Sequence, residues 1–88
     1  MKSVPTSGFW RLYHLLPDAV RKEAREAFRL FCQSAAHPGL RFERLRCQPD
    51  SWSVRITRGY RAVGRRHDDA MIWYWIGSHA EFDRRFPG

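Results

Sequence analysis

The feature that most constrains this chain is a series of three closely spaced apolar runs between residues 52 and 86. The runs cover 52–57, 60–63 and 71–76, and short turns at 58–59 and 65–69 separate them. In the first run, apolar residues occupy every second position and polar residues lie between them: Trp52, Val54, Ile56 and Ser53, Arg55, Thr57. Because alternate residues of a strand lie on opposite faces of a sheet, this pattern predicts one buried face and one polar, cationic face. We therefore predict a three-stranded antiparallel meander.

The residues before the meander predict two amphipathic helices that cover its dry face. The first helix is expected from Gly8 to about Leu15. The second begins at Pro17, which suits a first helical turn because its missing N–H is not needed there, and ends near residues 34–37. Residues 1–7 carry no periodic pattern, and we expect a loose lead-in.

Residues 40–47 predict one further strand, which precedes the meander. Leu40 and Phe42 have one parity, whereas Leu45 and Cys47 have the other. Either a bulge near residues 43–44 or a shorter strand would reconcile them.

A short helix is expected to close the chain, because Ser78 and Glu81 have the spacing of a capping box. The predicted fold is therefore α+β: an N-terminal helical hairpin packed on a twisted four-stranded antiparallel sheet, followed by a short C-terminal helix. With 88 residues and no internal repeat, we expect a single domain over 1–88.

The charge of the chain is strongly basic and rests on arginine. Two Lys and fourteen Arg stand against five Asp and four Glu, which gives a net charge of +7. This excess predicts attraction to polyanions such as nucleic acid or an acidic protein segment. Arg also offers a planar fork for phosphate and a surface for stacking on bases, whereas Lys is mainly a point charge.

The sequence favours a cytoplasmic protein. No apolar run approaches the ~20 residues that a membrane helix needs, so no membrane association is expected. We find no export signal. Cys32 and Cys47 match no metal-binding spacing and no CxxC motif, which favours two buried, reduced thiols.

Four residues predict a site for RNA cleavage. His79 follows the last strand at the start of a helix, where it could donate or accept a proton near neutral pH. Arg55 and Arg61 lie on neighbouring strands and could stabilise a phosphorane, while Phe82 lies three residues after His79 and could stack a base. Taken alone, His79 would more often be a surface residue in a helix cap. No Asp/Glu cluster suited to Mg²⁺ accompanies these residues, so we predict no metal and no cofactor.

Four other residues are weaker candidates for substrate contacts. Arg65 and Arg66 could bind phosphates, and Arg58 lies in the turn beside Arg61. Tyr60 could present its ring to RNA, although aromatic residues on strands more often belong to the core.

Four segments of the chain resemble the RelE/ParE superfamily of bacterial type II toxins. The segments read LPDAVRKEAREAF, HPGLRFERL, WSVRITRGYRAV and WYWIGSHAEFDRRF. Together they extend over nearly the whole chain from Phe9 onward, and the order "SVRI", "YRA" and "IGSH-E-(Y/F)-D" is fairly specific to the superfamily. The resemblance implies a helical hairpin on a twisted antiparallel sheet, which agrees with the prediction from periodicity.

The resemblance implies a toxin that is paired with a cognate antitoxin protein. RelE-like members are ribosome-dependent endoribonucleases that cut mRNA, whereas ParE-like members poison DNA gyrase without catalysis. Arg55, Arg61 and His79 match positions where nuclease members carry phosphate-binding and acid/base groups. Phe82 stands where many members have Tyr, so a phenolic proton donor is absent and more of the proton transfer falls to His79. The expected function is a metal-independent mRNA endoribonuclease; a gyrase poison or an inactive, antitoxin-binding relative are the alternatives.

Overall fold

The protein is described here by a computed structural model that covers residues 1–87. Within that range it contains a five-stranded sheet with strand order β1-β5-β4-β3-β2 and three α-helices. The elements in chain order are β1 Lys2–Pro5, α1 Ser7–His14, α2 Asp18–Gln33, a 3-10 turn Pro38–Leu40, β2 Glu43–Arg44, β3 Ser51–Thr57, β4 Tyr60–His67, β5 Ala70–Ser78 and α3 His79–Arg85. Neighbouring strands are antiparallel except β1 and β5, which are parallel. The α+β class, the helical hairpin and the C-terminal helix are confirmed.

The helical hairpin covers one face of the sheet and encloses the main core. Phe9 from α1 and Phe31 from α2 are almost fully buried against Val54 and Trp73 of the strands. The aromatic rings of Phe28 and Phe31 meet Trp73 edge-on at centroid distances of 5.0 and 5.4 Å. Edge-on contacts bring the positive edge of one ring against the negative face of another. Because each aromatic side chain buries a large area, a few of them are enough to fill the core of a chain this small.

The opposite face of the sheet carries a second, smaller core. Phe86, just after α3, packs with Trp75 and Val63, and Leu45 joins them from the loop after β2. Ser53 is also buried on this face, at 7% exposure. The face predicted to be wet is therefore partly covered by α3, and only the remainder is left as an open groove.

A bulge in β5 lets both faces of the strand be apolar. Val63 pairs with Trp75 but Gly64 pairs with Trp73, so Tyr74 is an extra residue on β5. The extra residue reverses the alternation, and Trp73 and Ile76 therefore both reach the main core while Trp75 reaches the smaller one. At the site of pairing, a Cβ on Gly64 would lie 2.9 Å from the Ile72 carbonyl oxygen, so the close approach of the strands requires glycine there.

The predicted loose lead-in over 1–7 is wrong for most of its length. Lys2–Pro5 form β1, whose register runs from Lys2 opposite Ala70 to Pro5 opposite Trp73. Thr6 then donates its hydroxyl to the Trp73 carbonyl oxygen at 2.9 Å and accepts from the Phe9 N–H, which fixes the start of α1. The strand has a single apolar side chain, Val4, and four residues are too few for an alternation. The sheet therefore has five strands rather than four, and the added one is parallel.

The strand predicted over residues 40–47 is mostly absent. Leu40 ends a 3-10 turn and Arg41 adopts a left-handed conformation with φ 45°, so only Glu43–Arg44 pair with β3. The change of parity in the sequence thus reflects a shorter strand rather than a bulge.

The predicted burial of the cysteines is also wrong, because Cys32 and Cys47 are both exposed and unpaired in the described structure. Within residues 1–87, no helix is long and apolar enough to cross a membrane.

Candidate active site

A basic groove lies between α3 and the segment around β2, over the polar part of the sheet. Its volume is about 290 Å³. The groove brings together three residues that the sequence predicted as a site, Arg61, His79 and Phe82, and adds basic residues that it did not: Arg41, Arg44 and Arg46. Glu43 also lines the groove, so its walls hold four arginines and one carboxylate. Such a concentration of positive charge suits an anionic substrate.

His79 is the first residue of α3 and is held there by its backbone. Its N–H donates to the Gly59 carbonyl oxygen at 2.7 Å, which ties the helix to the β3–β4 turn. The preceding Ser78 caps the helix: its hydroxyl accepts from the Glu81 N–H at 3.2 Å, and Glu81 returns the contact to the Ser78 N–H at 3.3 Å. The predicted capping box is thus confirmed, and it fixes the direction in which the His79 side chain leaves the helix.

The imidazole of His79 has one carboxylate neighbour. Its Nε2 lies 3.4 Å from an Asp83 carboxylate oxygen one turn along α3, and 48% of the His79 side chain is exposed. The ring can therefore reach both solvent and a substrate in the groove. A carboxylate beside one nitrogen orients a histidine for proton transfer.

Arg61 is held rigidly at the floor of the groove. Its Nη1 donates to the carbonyl oxygens of Thr57 at 2.8 Å and of Tyr60 at 3.0 Å, with Arg58 further away at 3.5 Å. Partial burial lowers the pKa of the Arg61 guanidinium, and repulsion from Arg55 and Arg41 lowers it further. The cation is therefore partly desolvated and close to two other arginines, although Asp83 and Glu43 offset part of this effect, and an anion in the groove would stabilise it further.

Phe82 forms an apolar wall next to these polar groups. Its ring centroid lies 6.2 Å from that of His79, 6.3 Å from Trp75 and 5.6 Å from Phe86. The ring is half-buried. It can therefore offer a planar surface to a base while its other contacts keep it in place.

The structure separates the remaining predicted residues from this groove. Arg55 pairs with Arg61 across β3 and β4, but it lines a smaller groove beside α2. Arg65 lies over the Tyr74 ring and 3.5 Å from an Asp50 oxygen, and Arg66 lies beside Trp52 on the helix-covered side of the sheet. Arg58 is exposed in the turn, and Tyr60 packs against the main core.

The three added arginines could have been found from the sequence RFERLR. Arg44 and Arg46 flank Leu45, which anchors the segment in the smaller core. An apolar residue between two arginines predicts that the apolar side chain is buried and that the arginines lie at the surface on either side of it. The prediction of an extended strand over residues 40–47 hid this pattern.

The groove offers proton transfer and charge stabilisation rather than a set of metal ligands. Within residues 1–87, no group of three or more His, Cys, Asp or Glu side chains could hold a metal ion. His79 and Glu43 are the titratable groups of suitable type on its walls, and Arg61 supplies fixed positive charge. This set fits the cleavage of a phosphodiester that provides its own nucleophile.

Known proteins share both the sequence pattern and the fold. The family model of the ParE-like toxin domain matches residues 18–84. Among solved structures, the YoeB/ParE toxin from Agrobacterium tumefaciens is 24% identical, with a TM-score of 0.70 over 90% of this chain and 99% of that one. The toxin structure in the RelB-RelE antitoxin-toxin complex from Methanococcus jannaschii matches with a TM-score of 0.76 at 14% identity, over 96% of this chain and 99% of that one.

A third structure, the isolated RelE toxin of E. coli, has a TM-score of 0.67 at 18% identity and covers 96% of both chains. No curated protein matches the sequence significantly. At these identities the structural neighbours establish the fold alone, whereas the family model spans most of the chain. The chain therefore belongs to the ParE-like toxin domain family.

Proposed function

We propose that this toxin is a metal-independent endoribonuclease that cleaves mRNA on the ribosome and thereby inhibits translation. The observation that carries the proposal is the meeting of Arg61, His79 and Phe82 in one groove with four arginines in total. A toxin that acts only by binding a protein needs no such combination of a titratable group, a partly buried cation and a half-buried aromatic ring.

In the proposed reaction, the 2′-hydroxyl of one nucleotide attacks the adjacent phosphorus. A base takes the hydroxyl proton, and an acid protonates the departing 5′-oxygen, so the products are a 2′,3′-cyclic phosphate and a free 5′-hydroxyl. His79 fills one of these two roles, and the Glu43 carboxylate on the opposite wall is the candidate for the other.

Arg61 stabilises the transition state by compensating the extra negative charge on the phosphorane. Nη1 is occupied by backbone carbonyls, which leaves Nη2 and Nε to donate to phosphate oxygens. Because the guanidinium is fixed before substrate arrives, little reorganisation is needed during the reaction. Phe82 stacks on a base and places the scissile bond between Arg61 and His79.

The net charge of +7 supports the ribosome as the place of action, because ribosomal RNA is a dense polyanion. A cognate antitoxin is the expected protein partner, as one of the structural neighbours is an antitoxin-toxin complex. An acidic or amphipathic antitoxin segment that covers the arginine-rich groove would block the proposed reaction.

Growth arrest in bacteria tests the proposal at the level of the cell. Expression of the wild-type chain should stop growth, whereas His79→Ala should not, although it folds equally well. His67→Ala is the matched control, since His67 lies at the far end of β4 with 78% of its side chain exposed, and its Nε2 lies 3.6 Å from an Asp68 carboxylate oxygen. Full toxicity of a folded His79→Ala chain would refute the catalytic role.

Poisoning of DNA gyrase is the second candidate, and the ParE-like name of the matching family is what favours it. In that case toxicity should depend on exposed apolar residues such as Val4, Trp10 and Leu15 and not on His79. Gyrase-dependent DNA breaks without mRNA cuts would select this function. An inactive relative that only binds its antitoxin would give neither.

A further inference from the structure

A second groove, lined by aromatic and basic residues, lies next to the candidate active site. Phe42 and Trp52 stack with their ring centroids 4.6 Å apart and an interplanar angle of 29°. The Arg66 guanidinium lies beside the pair, 5.0 Å from the Trp52 centroid and 5.9 Å from that of Phe42. Phe31, fully buried, meets Phe42 edge-on at 5.1 Å and anchors the stack in the main core.

The second groove shares two lining residues with the first. It has a volume of about 520 Å³, and Arg41 and Glu43 line both grooves. Arg41 lies at the junction in a left-handed conformation, between the 3-10 turn and β2. A linear molecule that fills the active-site groove could therefore extend past Arg41 into the second groove.

The arrangement of Arg66 is better suited to an external ligand than to holding the fold together. Within residues 1–87, its guanidinium makes no ion pair and donates no hydrogen bond, whereas its main-chain N–H is fixed by the Asp50 carbonyl oxygen at 3.0 Å. The adjacent Arg65, by contrast, is paired with the Asp50 carboxylate. Arg66 therefore has a fixed backbone, a supporting aromatic stack and free donors.

We propose that the second groove binds single-stranded RNA next to the cleavage site, with Arg66 contacting a phosphate and the Phe42–Trp52 pair contacting a base or sugar. The identity of the ligand rests on the proposed ribonuclease function. The chemistry of the groove supports it independently, because a basic groove combined with aromatic side chains is how proteins bind single strands without strict sequence preference. Two arginines face one carboxylate in the groove, so its local charge also favours an anion.

Binding of short RNAs to a cleavage-deficient chain tests the inference. The His79→Ala chain, with or without Arg66→Ala, is titrated against fluorescein-labelled, unstructured RNA of about 12 nucleotides, long enough for both grooves, and of about three nucleotides. Lys22→Ala in the same background is the control, because it removes one positive charge from the exposed face of α2. Fluorescence anisotropy gives the affinity at several salt concentrations.

One lost phosphate contact reduces the salt slope of log K by about 0.7, which corresponds to about fivefold weaker binding at about 0.1 M salt. Arg66→Ala should show this change with the longer RNA and not with the shorter one, while Lys22→Ala should change neither. Equal weakening by both variants, equal effects on both RNAs, or no RNA binding by the parent would overturn the inference. Weaker antitoxin binding with unchanged RNA binding would also overturn it and assign the groove to the antitoxin.

These results are separable from the proposed function. If the wild-type chain cleaved no mRNA, the proposed ribonuclease function would be contradicted. An affinity for the longer RNA that depends on Arg66 would still establish the RNA-binding subsite.

Discussion

Replacement of Arg61 by lysine should nearly abolish cleavage although it keeps a positive charge. In the structure, Nη1 of Arg61 is used by the carbonyl oxygens of Thr57 and Tyr60, and the other two nitrogens are left for substrate. A lysine ammonium is a single point of charge and cannot satisfy the turn carbonyls and hold a phosphate in the same geometry. Removal of one preorganised donor to a transition state costs about 10²–10³ in rate, and we expect a loss in this range for Arg61→Lys.

The pH dependence of the lysine variant gives a second, independent test. Burial and the neighbouring Arg55 and Arg41 lower the pKa of the group at this position. Arginine stays charged despite such a shift, but lysine starts from an ordinary pKa of about 10.4 and would lose its proton as the pH rises. The remaining activity of Arg61→Lys should therefore fall relative to the wild type as the pH rises, and at a lower pH than an ordinary lysine would require, because the deprotonated amine no longer stabilises the phosphorane.

The assay is cleavage of ribosome-bound mRNA under single-turnover conditions, with thermal unfolding measured in parallel. Folding stability should drop by only about 1 kcal/mol, because the lost hydrogen bonds are only partly buried and the positive charge at this position is unchanged. Arg11→Lys on the exposed part of α1 is the matched control. Activity of Arg61→Lys within about twofold of wild type, or no relative decline at higher pH, would refute the argument that a fixed guanidinium is required.

Two further substitutions test the architecture and the stacking surface. Gly64→Ala should reduce the free energy of unfolding by about 1–3 kcal/mol, because the added Cβ would lie 2.9 Å from the Ile72 carbonyl oxygen and from the Trp73 ring. Gly59→Ala is the control, since a Cβ there would have no atom within 4 Å and should change the free energy of unfolding little. Both values are measured by denaturant titration. Equal effects of the two glycine substitutions would contradict the bulge geometry. Phe82→Leu should keep most of its packing on Trp75 and Phe86 but weaken RNA binding by about 1–3 kcal/mol, as measured by anisotropy; unchanged affinity would exclude a stacking role.

The sequence predicted the fold where periodicity and capping are strong. The alternation from Trp52 to Ile56 and the Ser78–Glu81 capping box each specify one local geometry, and both are found in the structure. Lys2–Pro5 could not be predicted in the same way, because the strand exists only through pairing with β5, which is about 70 residues away in the chain. The residues around Arg41 were likewise determined by tertiary packing of Leu40 and Leu45 rather than by local propensity.

The sequence predicted the residues at the centre of the candidate site, His79, Phe82 and Arg61, but not which of the other arginines line the groove. His79 and Phe82 are three residues apart on one helix, so their proximity follows from helical geometry. Arg61 joined them because the β3–β4 turn lies against the start of α3, which the Gly59 carbonyl contact with His79 establishes. Arg55 and Arg66 are also strand arginines, but Arg55 lines a smaller groove beside α2, and the strand parity of Arg66 places it on the helix-covered face. A sequence pattern reports the face of a strand more reliably than the groove that a long side chain reaches.

The most direct test of the account is 5′-end mapping of a translated mRNA with purified ribosomes and purified toxin. Three chains are compared: wild type, His79→Ala, and the control His67→Ala. The account predicts cuts in ribosome-bound mRNA with wild type and His67→Ala, each leaving a 5′-hydroxyl, and none with His79→Ala. Cuts that persist in His79→Ala would place the catalytic group elsewhere, and an absence of cuts with a wild-type chain that still arrests growth would contradict the ribonuclease altogether.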